Sequence, residues 1–148
     1  MSEEILIVDD EADIRSLLSL TLDDEGFSTI QAANAEQARD IVSKRLPSCA
    51  ILDIWMRDSD MDGLQLLSWC KSIYPDMPIL MISGHGTITT AVEAIRNGAY
   101  DFIEKPFKAE RLILTVRRAL QAKRLEIENQ ALRARTAVHK QPDFIGKS

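Results

Sequence analysis

Four short, largely apolar runs in this chain each end in a polar or charged group, and segments of helical period separate them. Ile5-Leu6-Ile7-Val8 runs into Asp9-Asp10, Cys49-Ala50-Ile51-Leu52 into Asp53, and Ile79-Leu80-Met81-Ile82 into Ser83. Tyr100-Asp101-Phe102-Ile103-Glu104 leads to Lys105-Pro106. Together with a strand over Phe27 to Ala32, this alternation predicts βαβ units and a doubly wound, five-stranded parallel α/β sheet. Parallel connections are right-handed, and ligands bind beyond the carboxyl ends of the strands at a switch point. Three carboxylates, a hydroxyl and an ammonium therefore meet at one edge of the sheet.

The intervening segments carry their own signals. Ile14, Leu17, Leu18 and Leu22 recur at spacings of three and four, and Gly26 closes that helix. Asn34, with Gln37 three positions on, predicts a capped helix buried through Ala38, Ile41 and Val42. A polar loop from Arg57 to Asp62 leads to Gly63 and a helix with Leu66, Leu67, Cys70 and Ile73, stopped before Pro75. The next helix runs from about Thr87 to Arg96 and ends at Asn97-Gly98. From Ala109 the helical pattern outlasts the sheet, continuing to about Arg135, and Gln141-Pro142-Asp143 breaks it. Ile113, Val116, Leu120 and Ile127 fit a heptad seam that Lys123 and Gln130 interrupt, so a linking helix is the firmer reading.

The 148 residues suffice for one domain and an appendage. No apolar run approaches the roughly 20 residues of a membrane span, and the amino terminus lacks a secretory signal pattern, so cytoplasm is the expectation. Cys49 and Cys70 read as small core residues. Residues 1–104 carry 7 Lys/Arg against 19 Asp/Glu, whereas residues 105–148 carry 11 against 4. The basic residues interleave with Glu110, Glu126 and Glu128 without a set of stacking aromatics. That favours a solvated helix face over direct nucleic-acid binding.

Asp9, Asp10 and Asp53 at one edge repel, and folding tolerates such a cluster when a cation neutralises it. Oxygen ligands at an open, wet edge suit Mg²⁺, which commonly bridges carboxylates to phosphate oxygens. One carboxylate can then act as a nucleophile and form an acyl phosphate. Lys105 would contact the transferred oxygens, Ser83 would hydrogen-bond one, and Gly84 and Gly86 would allow the backbone to approach closely. Each motif alone has a plainer reading: Asp9-Asp10-Glu11 as an acidic helix start, Asp53 as a strand end, Lys105-Pro106 as a turn. Their joint placement at successive strand ends favours the site.

Residues 4 to about 122 resemble the receiver domain of two-component response regulators. The resemblance rests on Ile7-Val8-Asp9-Asp10-Glu11, Ile51-Leu52-Asp53-Ile54-Trp55-Met56, Met61-Asp62-Gly63, Met81-Ile82-Ser83-Gly84 and Phe102-Ile103-Glu104-Lys105-Pro106-Phe107. It implies a flavodoxin-like strand order 2-1-3-4-5 with a helical extension, and phosphorylation of Asp53 by a histidine kinase. It further implies Mg²⁺ held by Asp10 and Asp53, by Asp9 through water, and by the Trp55 backbone carbonyl. Ser83 and Lys105 would sense the phosphoryl group, Ser83 and Phe102 would switch, and the Lys105–Pro106 bond would be cis. Switching would remodel the face of the fourth helix, fifth strand and fifth helix and control homodimerisation, there or through the linker helix.

One departure stands out. The family usually has Pro four residues after the phosphorylated Asp and Gly eight after it; here Arg57 and a Gly63 ten residues on take those places. The longer loop Arg57-Asp58-Ser59-Asp60 is similar to that of the nitrogen-regulation branch of the sigma-54-dependent activators. Gly84, His85 and Arg57 flank the expected phosphate, and Trp55 and His85 are placed to screen it from water. Phe144-Ile145-Gly146-Lys147-Ser148 resembles the opening of those activators' ATPase domain. A P-loop reading of Gly-Lys-Ser fails because Gln141 stands where the motif needs Gly. The expected division is a receiver over 1–122, a helical linker over 123–141, and from 142 the start of an ATPase domain. That domain and a DNA-binding module would lie beyond this chain.

Two other functions compete. A phosphatase with an aspartyl nucleophile wants a second Asp two residues after it as general acid, and Trp55 holds that position. A flavodoxin-like fold can bind FMN, but three carboxylates at the switch point would repel its phosphate. Steady turnover of outside substrates is therefore not expected.

Overall fold

The computed structural model describes residues 3–84 and 87–147, with side chains placed as far as residue 133. The strands are β1 Glu4–Val8, β2 Ser28–Ala32, β3 Cys49–Asp53, β4 Ile79–Ser83 and β5 Asp101–Glu104. The helices are α1 Ala12–Asp23, α2 Ala35–Lys44, α3 Gly63–Ile73, α4 Ile88–Arg96 and α5 Ala109–Lys147. All strand pairs are parallel, in the order β2-β1-β3-β4-β5.

The strand sequences explain their places. β3 and β4 are buried along their whole length and β1 nearly so, as expected of strands covered by helices on both faces. β2 and β5, at the edges, are only partly buried. Successive side chains point to opposite faces. Leu6, Val8, Ala50, Leu52, Ile79 and Met81 therefore join one core layer, which Leu66, Leu67 and Ala94 complete. Ile5, Ile7, Ile51, Leu80 and Ile82 join the other, closed by Leu18, Leu22, Leu112 and Val116. Cys49 and Cys70 are core residues, and burial pushes their thiols up to about 12 and about 11.

The helix signals hold with adjustments. Asn34 Oδ1 accepts from the Gln37 amide at 2.9 Å, while Gln37 Oε1 accepts from Ala33 rather than from the cap residue itself. Asp62 and Gln65 form a reciprocal capping box on α3 that the sequence reading passed over. In α1 the core-facing stripe is Ile14-Leu18-Leu22, at steps of four, with Leu18 and Leu22 buried and Ile14 partly so. Leu17, about 100° round the helix, is half exposed. Ile73 at the end of α3 is likewise half exposed.

The first turns of α5 pack on the sheet through Leu112, Val116, Ala119 and Leu120, after which Leu125, Ile127 and Leu132 are exposed. The expected heptad seam is thus half core and half surface. The helix continues past Pro142, where the sequence predicts a break. Pro lacks an amide hydrogen, so the helix passes it one backbone hydrogen bond short.

Between β3 and α3 the chain makes an excursion and returns at Gly63. The Gly63 amide donates to Ile54 O at 2.7 Å. A Cβ at Gly63 would collide with the Asp53 carbonyl oxygen and lie 2.6 Å from Ile54 Cα. Only glycine lets the two backbones approach this closely. Gly63→Ala should lower stability by on the order of 2–4 kcal/mol, read by urea denaturation. Wild-type stability in that variant would show that the approach is not needed.

Candidate functional site

Strand register assembles the site. Val8 lies opposite Leu52, so Asp9 and Asp53 leave the sheet side by side. Asp53 in turn pairs with Ile82, and the Lys105 amide donates to Ser83 O at 3.0 Å, which draws the β4 and β5 ends alongside. Oxygen atoms of Asp9, Asp10 and Asp53 fall within 4.8 Å of one another.

Each carboxylate is held differently. Asp9 is fully buried, and its Oδ1 accepts from the Glu11 amide at 2.9 Å while its carbonyl accepts from Arg15 Nη1 at 2.7 Å. Among the described residues, no well-aligned hydrogen-bond donor reaches Asp9 Oδ2. The Lys105 ammonium approaches it to 2.8 Å as an ion pair and sits 3.5 Å from Asp53 Oδ1 and 3.8 Å from Glu11 Oε1. Asp10 Oδ2 accepts twice from one residue, from the Arg57 amide at 3.0 Å and from Arg57 Nε at 2.9 Å.

The electrostatics follow from these partners. Burial, reinforced by the charge of Asp9, pushes Asp53 up to about 7; Lys105 opposes this and loses. Burial also raises Asp9 against the pull of Lys105. Burial works the same way on Asp10, yet the two Arg57 bonds outweigh it and hold that carboxyl below the usual range. For Lys105 desolvation disfavours the charge, but Asp9 and Asp53 prevail and raise its pKa. Lys105 and Arg57 bring two positive charges to three carboxylates.

The other expected residues take up distinct places. Ser83 is buried at the end of β4. Phe102 is half buried against the first core layer, beside a cleft of about 420 Å³ lined by Ala91, Val92, Ile95 and Arg96. The Lys105–Pro106 peptide is cis. Trp55 is half exposed. A Cβ at Gly84 would lie 3.7 Å from Lys105 Cβ, an ordinary contact, so close approach to Lys105 does not demand glycine there. His85 and Gly86 lie outside the described residues.

Sequence reasoning missed how the long loop is fastened. Ser59 Oγ accepts from the Ala35 amide at 3.0 Å, satisfying one open donor at the start of α2, and donates to Met61 O. Asp60 and Arg39 form a two-pronged pair, with Nη1–Oδ1 at 3.1 Å and Nη2–Oδ2 at 2.6 Å. Asp58 adopts a positive φ of 53° just before these anchors. The acidic residues of the loop were the available signal, without a way to see that α2 was their partner.

Besides this strand-end acidic trio closed by a lysine after β5, the family model for the response regulator receiver domain matches residues 5–117. The chain belongs to the response regulator receiver domain family. Over 148 residues this receiver domain is 49% identical to the nitrogen assimilation regulatory protein NtrX of Azorhizobium caulinodans, all of this chain aligning with 32% of that protein. The crystal structure of NtrX from Brucella abortus superposes with a TM-score of 0.86 at 53% identity, over 92% of this chain and 30% of that one. The beryllofluoride-activated NtrC4 receiver domain dimer matches with a TM-score of 0.77 at 38% identity, over 81% and 98% of the two chains. The chain spans about a third of the length of the curated relatives it matches. Among the described residues no helix is long and apolar enough to cross a membrane.

The raised pKa of Asp53 has a signed consequence. The folded receiver keeps that proton up to about pH 7, whereas an unperturbed carboxyl loses it near 3.8. Folding takes up a proton between those values, so this group lowers stability as pH rises through the window. Without divalent ions, Asp53→Asn should exceed wild type by roughly 1–2 kcal/mol at pH 8, allowing for solvent screening at the open edge. The gap should close below about pH 4 in the same urea melts. An Asp53→Asn variant no more stable than wild type at pH 8 would contradict the charge crowding.

Proposed function

We propose that this receiver accepts a phosphoryl group on Asp53 from a histidine kinase and, so modified, switches the activity of a longer transcription regulator. The observation that carries the reading is the Asp9-Asp10-Asp53 cluster at the strand ends with Lys105 against it. Three hard oxygen donors with surplus negative charge, one of them a buried oxygen without an aligned donor, fit Mg²⁺. Asp10 and Asp53 would hold the ion directly, Asp9 through water, with the Trp55 carbonyl as a further ligand. Bound there, it would supply positive charge to neutralise the oxygens of the incoming phosphoryl group.

The chain's own residues do the rest. An oxygen of Asp53 attacks phosphorus, the bond to the donor's leaving group breaks, and Asp53 becomes an acyl phosphate. Lys105, already 3.5 Å from Asp53, pairs with the transferred oxygens, and the Ser83 hydroxyl hydrogen-bonds one. This is catalysis by positioning and charge neutralisation. Asp53 is both nucleophile and product, and Trp55, two residues on, cannot donate a proton to a leaving group. Turnover of outside substrates is not part of the proposal.

Ser83 drawn toward the phosphoryl group opens space into which Phe102 turns from beside its cleft. That remodels the face of α4, β5 and α5, where Val92, Ile95 and Leu114 are exposed next to the strand. Apolar residues in that position suit a second copy of the chain, and the activated NtrC4 receiver dimer supports pairing of this kind. α5 would carry the change to an ATPase and DNA-binding module beyond residue 142, in the cytoplasm.

Incubation with acetyl phosphate and Mg²⁺ should add the mass of one phosphoryl group to the intact wild-type chain and none to Asp53→Asn. An adduct that survives the substitution would place the acceptor elsewhere.

A further inference from the structure

Arg57 stands out because it meets a site carboxylate through both its backbone and its side chain. Its amide and its Nε both donate to Asp10 Oδ2, at 3.0 and 2.9 Å, so that oxygen has a donor for each lone pair. The guanidinium brings a full positive charge to the carboxylate that, on the reading above, holds the divalent ion. The side chain is 81% exposed. It touches Asp10 through Nε alone among its side-chain nitrogens, rather than through the two-pronged fork by which Arg39 grips Asp60. Such a contact is strong enough to be formed and weak enough to be broken.

The loop explains why the arginine is held there. Ser59 and Asp60 are fastened to α2 by Ala35 and Arg39, and Gly63 returns the chain to the Asp53 backbone. Between these anchors and β3 the Arg57 amide has a set position over Asp10.

We propose that Arg57 is a built-in competitor for the cation: its guanidinium neutralises Asp10, and a divalent ion loading there has to displace that charge. This rests on the assignment of Asp10 as a cation ligand. Arg57 thereby sets the ion concentration at which the receiver becomes competent for phosphorylation, and it holds the acidic edge together while no ion is bound.

Calorimetric titration with magnesium chloride at constant ionic strength tests this on the whole chain. Arg57→Met, which keeps the aliphatic stem, and Arg57→Ala should both bind Mg²⁺ about two- to five-fold more tightly than wild type, the range expected for losing an exposed ion-pair competitor. Arg45→Met removes the same charge beside Glu4 at the opposite edge of the sheet and should leave the affinity unchanged. Equal or weaker binding in the Arg57 variants overturns the proposal. So does equal tightening in Arg45→Met, which would make the effect one of net charge. The underlying site is tested separately by Asp10→Asn: if that variant binds as wild type does, or if no variant binds at all, the cation assignment itself fails.

Discussion

The register of β1 against β3 forces two carboxylates together. With Val8 opposite Leu52, the next residue of each strand is an aspartate, and both are buried at the sheet edge. Unit charges about 4 Å apart repel by roughly 4 kcal/mol even at an effective dielectric of 20. That repulsion shapes the surroundings. The pair's negative charge draws Lys105 at the end of β5 to Asp9 and Asp53, and burial, reinforced by the charge of Asp9, pushes Asp53 up to about 7. The apolar strands make the arrangement possible, since β1, β3 and β4 sit between two helix layers and a one-residue slip would exchange the side chains that each layer packs.

Around this centre the compensation is uneven. Asp9 is tied by backbone groups and Lys105, Asp10 by Arg57, while Asp53 is left as the surplus charge. The long loop contributes twice. Gly63 brings α3 up against the Asp53 backbone, and the excursion between them carries Arg57 over Asp10 while Ser59 and Asp60 anchor it to α2. Two residues of that loop, Ser59 and Asp60, find their partners on α2.

Much of this was legible in the sequence because the informative residues sit where one pattern stops and another begins. Apolar runs that end in Asp9, Asp53 and Ser83 announce strand ends, and parallel topology gathers strand ends on one edge. What escaped was nonlocal or a matter of angle. Arg39 and Asp60 are 21 residues apart on exposed surfaces, and neither helix period nor loop composition pairs them. Leu17 and Ile73 fit an apolar period, yet fall at the margin of the buried stripe. The proline at 142 reads as a stop because helix interiors disfavour it, whereas α5 runs through it.

Charge crowding at Asp53 is the claim on which the rest depends, and its titration tests it most directly. The Asp53 carboxyl carbon can be followed by NMR across pH, first without divalent ions and then with Mg²⁺. The account predicts a midpoint near 7 without the ion and a marked fall when Mg²⁺ is added. A midpoint near the ordinary carboxyl value, unmoved by Mg²⁺, would contradict it.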